Sequence, residues 1–385
     1  MKNKNAVLKI LAELCRLLIG VVFIFSGFVK AVDPVGGAIK IGEYLASFGL
    51  DMLQPFTVLL SFNLSAIEFT LGVCMLLGVY RRYVSFLVLM FMAFMTPLTL
   101  YLALFDPVSD CGCFGDALVI SNWETFFKNV VLSLAAIVTF IYNQRLFQCF
   151  TFRAYWFVAL YAYLFGVGFA YYNYNHLPVI DFRPYKIGAN IPKLMEMPEE
   201  APQDEYKYTF VYEKDGVKKE FSLEDYPAND SSWTFVDSKT ELVKKGYQPP
   251  VAAFNIYNGK GDDVTEEIIG NPGPVLLLVA PKLEEADDEQ MDEINGVYDY
   301  ALEHDIPFYC VTGSSPEAID TWSDNTGAEY PFRMADEVLL KTIIRSNPGL
   351  VLLKGGTILA NGTTTIFQLR KRSRRLWIAA WTRAI

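Results

Sequence analysis

Histidine is nearly absent: His176 and His304 are the only two in 385 residues. Zinc usually takes four nitrogen or sulfur ligands, and no histidine stands near the chain's paired cysteines, so no metal centre is expected. A two-cysteine metal site is the alternative left at that pair. Clustered lysine and arginine are also missing where a nucleic acid would need them. Residues 178–367 carry 16 Lys/Arg against 34 Asp/Glu, a net charge of −18, whereas phosphate binding requires the opposite sign. Nucleic acid is therefore excluded as a partner. A small-residue cleavage site is lacking before Lys30, so the basic start and apolar middle of the N-terminus read as a membrane span and not as a removed leader.

Apolar length is what the chain has in plenty. Hydrophobic residues make up 52% of it. Five runs (9–29, 56–79, 84–105, 126–142 and 154–172) reach or approach the ~20 residues that cross hydrocarbon. Lys2, Lys4 and Lys9 flank the first, Arg81 and Arg82 lie between the second and third, and Arg145 and Arg153 bracket the turn between the fourth and fifth. The positive-inside rule makes these three segments cytoplasmic. The opposite connections are acidic, with Asp33, Glu43, Asp51, Asp106, Asp110, Asp116 and Glu124. The expectation is a multi-pass protein of a bacterial inner membrane, with lipid around it, its N-terminus cytoplasmic and its acidic C-terminal part periplasmic. Disulfides persist on that side.

Cys111-Gly112-Cys113 stands in the outward segment DCGCFGD, residues 110–116, while the other four cysteines are scattered singly. Cysteines one residue apart close only a small, strained ring, and strained, exposed disulfides are the labile ones that exchange. Cys111 and Cys113 are the candidate catalytic pair. A relay thiol gains from a lowered pKa. Asp110 and Asp116 would raise it, and Lys30 and Lys40, expected on the same membrane face, would offset them if folded over the loop. A structural disulfide is the alternative. Glu68 lies near the middle of the second span, where a lone carboxylate costs several kcal/mol. It is a candidate proton site beside a quinone, or else an ion-pair or hydrogen-bonded partner within the bundle. Cys15, Cys74 and Cys149 fall at cytoplasmic or mid-membrane depth and read as packing residues.

After His176 the segment DFRPYKIG reads as an extended linker. YTFVYEKDGVKKEFSL then reads as a hairpin turning at Asp215-Gly216. Strands at 275–280, 306–312 and 350–353 alternate with helices at 287–304, 316–325 and 336–345, which predicts an α/β sheet domain. Cys310, alone in a strand, reads as a buried small hydrophobe.

The stretch NPGLVLLKGG, residues 347–356, resembles the thioredoxin fold, and FNIYNGKGDDV resembles the entry hairpin of its membrane-anchored relatives. The resemblance covers 248–359 and implies that Pro348 is a cis-proline. It also implies a Cys-x-x-Cys after strand 275–280, but the chain has Pro281, Lys282, Leu283 and Glu284 there, so this domain is expected to lack an active dithiol. Residues 9–142 resemble the DoxX and MauE group of redox-associated four-helix membrane proteins. The likeness is carried by Phe25-Ser26-Gly27-Phe28-Val29-Lys30 with Asp33-Pro34, by Glu68, by Leu77-Gly78 and by DCGCFGD. The expected order is a four-helix membrane domain at 1–150, a fifth transmembrane helix at 151–177, a linker and β-hairpin region at 178–247, and a thioredoxin-like domain at 248–385. Related sequences continue the Gly-Thr-Ile strand into Lys-Trp-x-x-Asn-Asp, which a shifted reading frame near Ala360 would restore. The tail from about residue 360, with its basic run at 370–375, is therefore expected to be non-native, the alternative being a genuine amphipathic terminal helix.

What the resemblance implies is a membrane thiol–disulfide oxidoreductase. It would pass electrons between a membrane donor or acceptor, a quinone included, and a periplasmic thiol or disulfide client. The competing expectation is a non-catalytic scaffold subunit whose cysteines only fix a loop.

Overall fold

The computed structural model describes residues 2–108, 110–198, 205–214, 217–222, 233–244, 249, 251 and 254–363. The chain opens with a 31-residue helix, α1 (Lys2–Val32), followed by α2 (Pro34–Ser47). The bundle continues with α3 (Thr57–Leu77), α4 (Arg81–Phe105), α5 (Asn122–Ile141) and α6 (Tyr155–Asn175). These last four, with the short 3₁₀ turns preceding α3 and α6, are long and apolar enough to cross a membrane. α2 occupies what the sequence suggested was a plain connection. Asp33 caps it by accepting from the Gly36 N–H, and Pro34 opens it, the residue types that favour a helix start.

α1 and α3 approach closely because glycine lines the seam. A Cβ on Gly72 would meet the Ile24 nitrogen at 2.6 Å, and one on Gly27 would meet the Ser65 carbonyl oxygen at 2.7 Å. Small residues allow such contact between membrane helices. Here the contact sets Ser26 and Lys30 of α1 against Glu68 of α3.

Beyond the bundle come α7 (Ile191–Met195) and an antiparallel sheet of β1 (Glu205–Lys214), β2 (Val217–Ser222) and β3 (Thr234–Lys244), in the order β2-β1-β3. The Asp215-Gly216 turn lies outside the described residues. The C-terminal domain contains α8 (Thr265–Ile269), β4 (Pro274–Ala280), α9 (Met291–Glu303), β5 (Phe308–Thr312), α10 (Pro316–Thr326), β6 (Phe332–Met334), α11 (Glu337–Ile343), β7 (Gly349–Lys354) and β8 (Thr357–Thr363). Its sheet runs β6-β5-β4-β7-β8; β5 is parallel to β4 and β6, β7 is antiparallel to β4, and β8 is antiparallel to β7. Parallel β4-α9-β5 followed by an antiparallel β7-β8 pair is thioredoxin-like topology. Val275 through Ala280 are all buried, as a central strand covered on both faces requires. The Asn347–Pro348 peptide is cis.

The segment expected to be a linker is instead packed. Arg183 is fully buried, pairs with Asp181 at 2.8 Å and donates to the Thr342 and Ile343 carbonyl oxygens at 3.4 and 3.3 Å. Those are end-of-helix acceptors of α11 that would otherwise lack partners. Tyr185 joins the core of the C-terminal domain. The expected non-native tail lies outside the described residues from 364 onward, while 360–363 continue β8 against β7.

Candidate redox site at the head of the bundle

The loop between α4 and α5 is held in place from both ends. The Asn122 amide donates to Asp106 Oδ1 at 2.7 Å and to the Val108 carbonyl at 3.0 Å, and Ser121 with Glu124 forms a capping box that starts α5. Within the loop the Gly112 N–H donates to Asp110 Oδ1 at 2.8 Å, an Asx turn. Gly112 then takes φ +64°, a left-handed conformation that costs residues with a Cβ. That turn folds Cys111 back on Cys113, and their sulfurs lie 3.0 Å apart in a hydrogen-bonding contact.

Both cysteines are buried, at 7% and 9% exposure, which differs from the exposed pair that relay chemistry suggested. The cause is tertiary. Tyr44 of α2 donates its hydroxyl to the Cys111 carbonyl at 2.8 Å, and Ser26 of α1 donates to the Cys113 carbonyl at 2.7 Å. Lys40 lies over Gly112, where an added Cβ would meet its Cγ at 3.2 Å, and pairs with Asp110 at 3.0 Å. Lys30 bonds both carboxylate oxygens of Glu68 at 2.7 Å, with side-chain exposures of 11% and 4%. Glu68 thus stands in an ion pair with Lys30, with the Ser26 hydroxyl beside its carboxylate. Pro348 lines neither of the cavities beside the pair.

The two thiols are not equivalent. Both cysteines share an apolar cluster with Leu102, Val108, Met95, Tyr44 and Tyr101; the hydrogen bond it shares with Cys113 and its burial push the Cys111 thiol up. Cys113 is held below the ordinary thiol range, first by that hydrogen bond and then, against the cost of burial, by the charges of Lys128 and Lys30. Lys128, on α5, places its Nζ 4.2 Å from the centroid of the Phe114 ring. It was not singled out from the sequence, although a lone cation in an apolar run was the available signal. Tyr44 and Arg345 gave no comparable sign, and Ser26 stood out only as part of the Phe25 to Lys30 motif.

Two cavities flank the pair. One of about 30 Å³ lies against Cys113, between Ser26, Lys30, Glu68, Lys128 and Asn129 and apolar side chains of α1 and α4. The other, of about 180 Å³, lies between the loop (Asp110, Gly112, Asp116), α2 and the C-terminal domain (Thr342, Arg345). Arg345 closes it by gripping Asp33 with two bonds, 2.9 and 2.7 Å. No three His, Cys, Asp or Glu side chains among the described residues come together to hold a metal ion.

The family described as methylamine utilisation protein MauE matches residues 8–142, the stretch that builds α1 to α5 and the cysteine loop. Residues 8–142 are a MauE-type domain. A family described as a domain of unknown function (DUF8463) matches 206–245, the three-stranded sheet that follows the MauE-type domain and α6. No curated protein matches the chain. The solution structure of a candidate protein disulfide isomerase from Bacteroides thetaiotaomicron is 17% identical, covers 32% of this chain and 88% of its own, and has a TM-score of 0.25.

Proposed function

We propose that this protein is a membrane thiol–disulfide relay in which Cys111 and Cys113 exchange electrons with a client protein. The observation that carries the reading is the sulfur pair, 3.0 Å apart at the end of a MauE-type helical bundle and backed by the half-buried Lys30 and Lys128. Flanking charges support an orientation with the loop and C-terminal domain on the non-cytoplasmic side of a bacterial inner membrane. The client is then periplasmic and approaches through the cavity between the loop and α11. The C-terminal domain, with Pro281, Lys282, Leu283 and Glu284 where a Cys-x-x-Cys would stand, positions the client without reacting.

A quinone is the acceptor that the resemblance implies. The cavity beside Cys113 encloses about 30 Å³, room for one or two waters and not for a ring, so the residues do not fit a quinone there and no step is routed through one. Burial of both cysteines favours a second reading, a scaffold whose disulfide only fixes the loop. A gel-shift titration in thiol buffers separates the two. A relay pair equilibrates with mild buffers, whereas a structural bond resists reduction until below about −300 mV. A mixed disulfide trapped by Cys111→Ser or Cys113→Ser would identify the client.

A further inference from the structure

Lys128 has an unusual position for a cation. It sits within α5 between Phe126, Phe127, Val130 and Val131, and no carboxylate lies within ion-pair distance of it among the described residues. An ionisable side chain inside a membrane span is costly and points to a functional partner. The Phe114 ring supplies a cation–π contact, but a ring does not neutralise a charge.

The charged or titratable groups facing Cys113 are Lys30 from α1, Tyr44 from α2, Glu68 from α3, Lys128 from α5 and Cys111 from its own loop; α4 contributes Phe91, Met92 and Met95. Lys30 and Glu68 offset one another. The cluster is balanced, with Lys128 compensated, only when Cys113 is a thiolate. Closing the bond to Cys111 removes that negative charge. The surroundings therefore stabilise the reduced form, the condition that makes a disulfide a strong oxidant.

Building on the relay reading, we propose that Lys128 is the counter-ion of the Cys113 thiolate and makes the Cys111–Cys113 disulfide oxidising, so that electrons run from a client dithiol into the pair. A client thiolate attacks Cys111 Sγ, the bond between Cys111 and Cys113 breaks, and Cys113 leaves as thiolate, the better leaving group of the two. The client's second thiolate then attacks the client sulfur of the mixed disulfide, closing the client's bond and releasing Cys111. Two electrons pass from client to pair; one client proton ends on Cys111 and the other goes to solvent. Lys128 is a positioning residue in this scheme and takes no part in bond exchange.

The test uses the full chain in lipid nanodiscs, equilibrated with glutathione buffers. Lys128→Gln should make the pair about tenfold less oxidising, equivalent to about 30 mV, while Lys128→Arg stays within about twofold of the native protein. In a Cys111→Ser background, Lys128→Gln should move the alkylation midpoint of Cys113 up by about one pH unit, the same free energy seen in titration. An unchanged constant and midpoint in a pair that still equilibrates would overturn the role of Lys128 and leave the relay standing. A native pair that never equilibrates would overturn both. Should Lys128→Gln not accumulate, the single-cysteine proteins decide: Cys113 should ionise at lower pH than Cys111, and the reverse order overturns the proposal.

Discussion

Removing the charge of Glu68 tests the polar centre of the bundle most directly. Surface ion pairs contribute about 0–1 kcal/mol, and Glu68–Lys30 is not one of them. Its side chains are 4% and 11% exposed, Lys30 Nζ contacts both carboxylate oxygens at 2.7 Å, and the Ser26 hydroxyl oxygen lies 2.7 Å from the same carboxylate. Glu68→Gln keeps the size of the side chain but leaves the Lys30 ammonium buried and uncompensated. Breaking a buried pair from one side costs about 3–5 kcal/mol, whereas replacing both partners by apolar residues is often neutral. Lys30→Met combined with Glu68→Leu should therefore recover most of the loss, since Ser26 still has the Cys113 carbonyl to bond. Unfolding in mixed micelles, followed for the native protein, Lys30→Met, Glu68→Leu and the double variant, gives the coupling energy. A Glu68→Gln protein within about 1 kcal/mol of native, or a double variant as unstable as the sum of the singles, would refute the reasoning, because either result means the pair is solvated.

The Asp33–Arg345 pair should make domain docking acid-sensitive. Burial pushes the Asp33 carboxyl up, but Arg345 and the Gly36 N–H outweigh it and hold it below its ordinary value. The pair's contribution is thus complete above about pH 4 and is lost as pH falls through the lower folded value. Proteolysis around residues 178–190 should accelerate in acid, and Asp33→Asn should be fast at neutral pH with no further acid response. Gly112→Ala, at φ +64° and with its Cβ 3.2 Å from Lys40 Cγ, should cost about 1–2 kcal/mol and separate the sulfurs, seen as faster double alkylation of the reduced protein. Cys310, fully buried with its thiol pushed up by burial, should react with alkylating reagents only on unfolding; labelling of the native protein would contradict its place in the sheet core.

Local pattern determined a good deal. The apolar runs became helices because length and composition alone satisfy a span, and α4 ran through Pro97 as a single helix. The alternation after residue 270 became β4-α9-β5 and β7 because strand and helix periods differ, with ends displaced by a few residues where capping decides. The paired cysteines announced a small sulfur-bearing ring, while the Asx turn of Asp110 and the left-handed Gly112 that close it came from the structure. What tertiary structure decided was everything that depends on partners distant in the chain. Glycines at 27 and 72 let α1 and α3 meet closely, which turned Glu68 and Lys30 from two isolated charges into one buried pair. α2, unread in the sequence, brought Tyr44 and Lys40 over the loop. DFRPYKIG has the composition of a spacer, yet Arg183 found the free carbonyls of α11. A charge acquires meaning from what faces it, and Lys128 faces Cys113 only after four helices have closed around the loop.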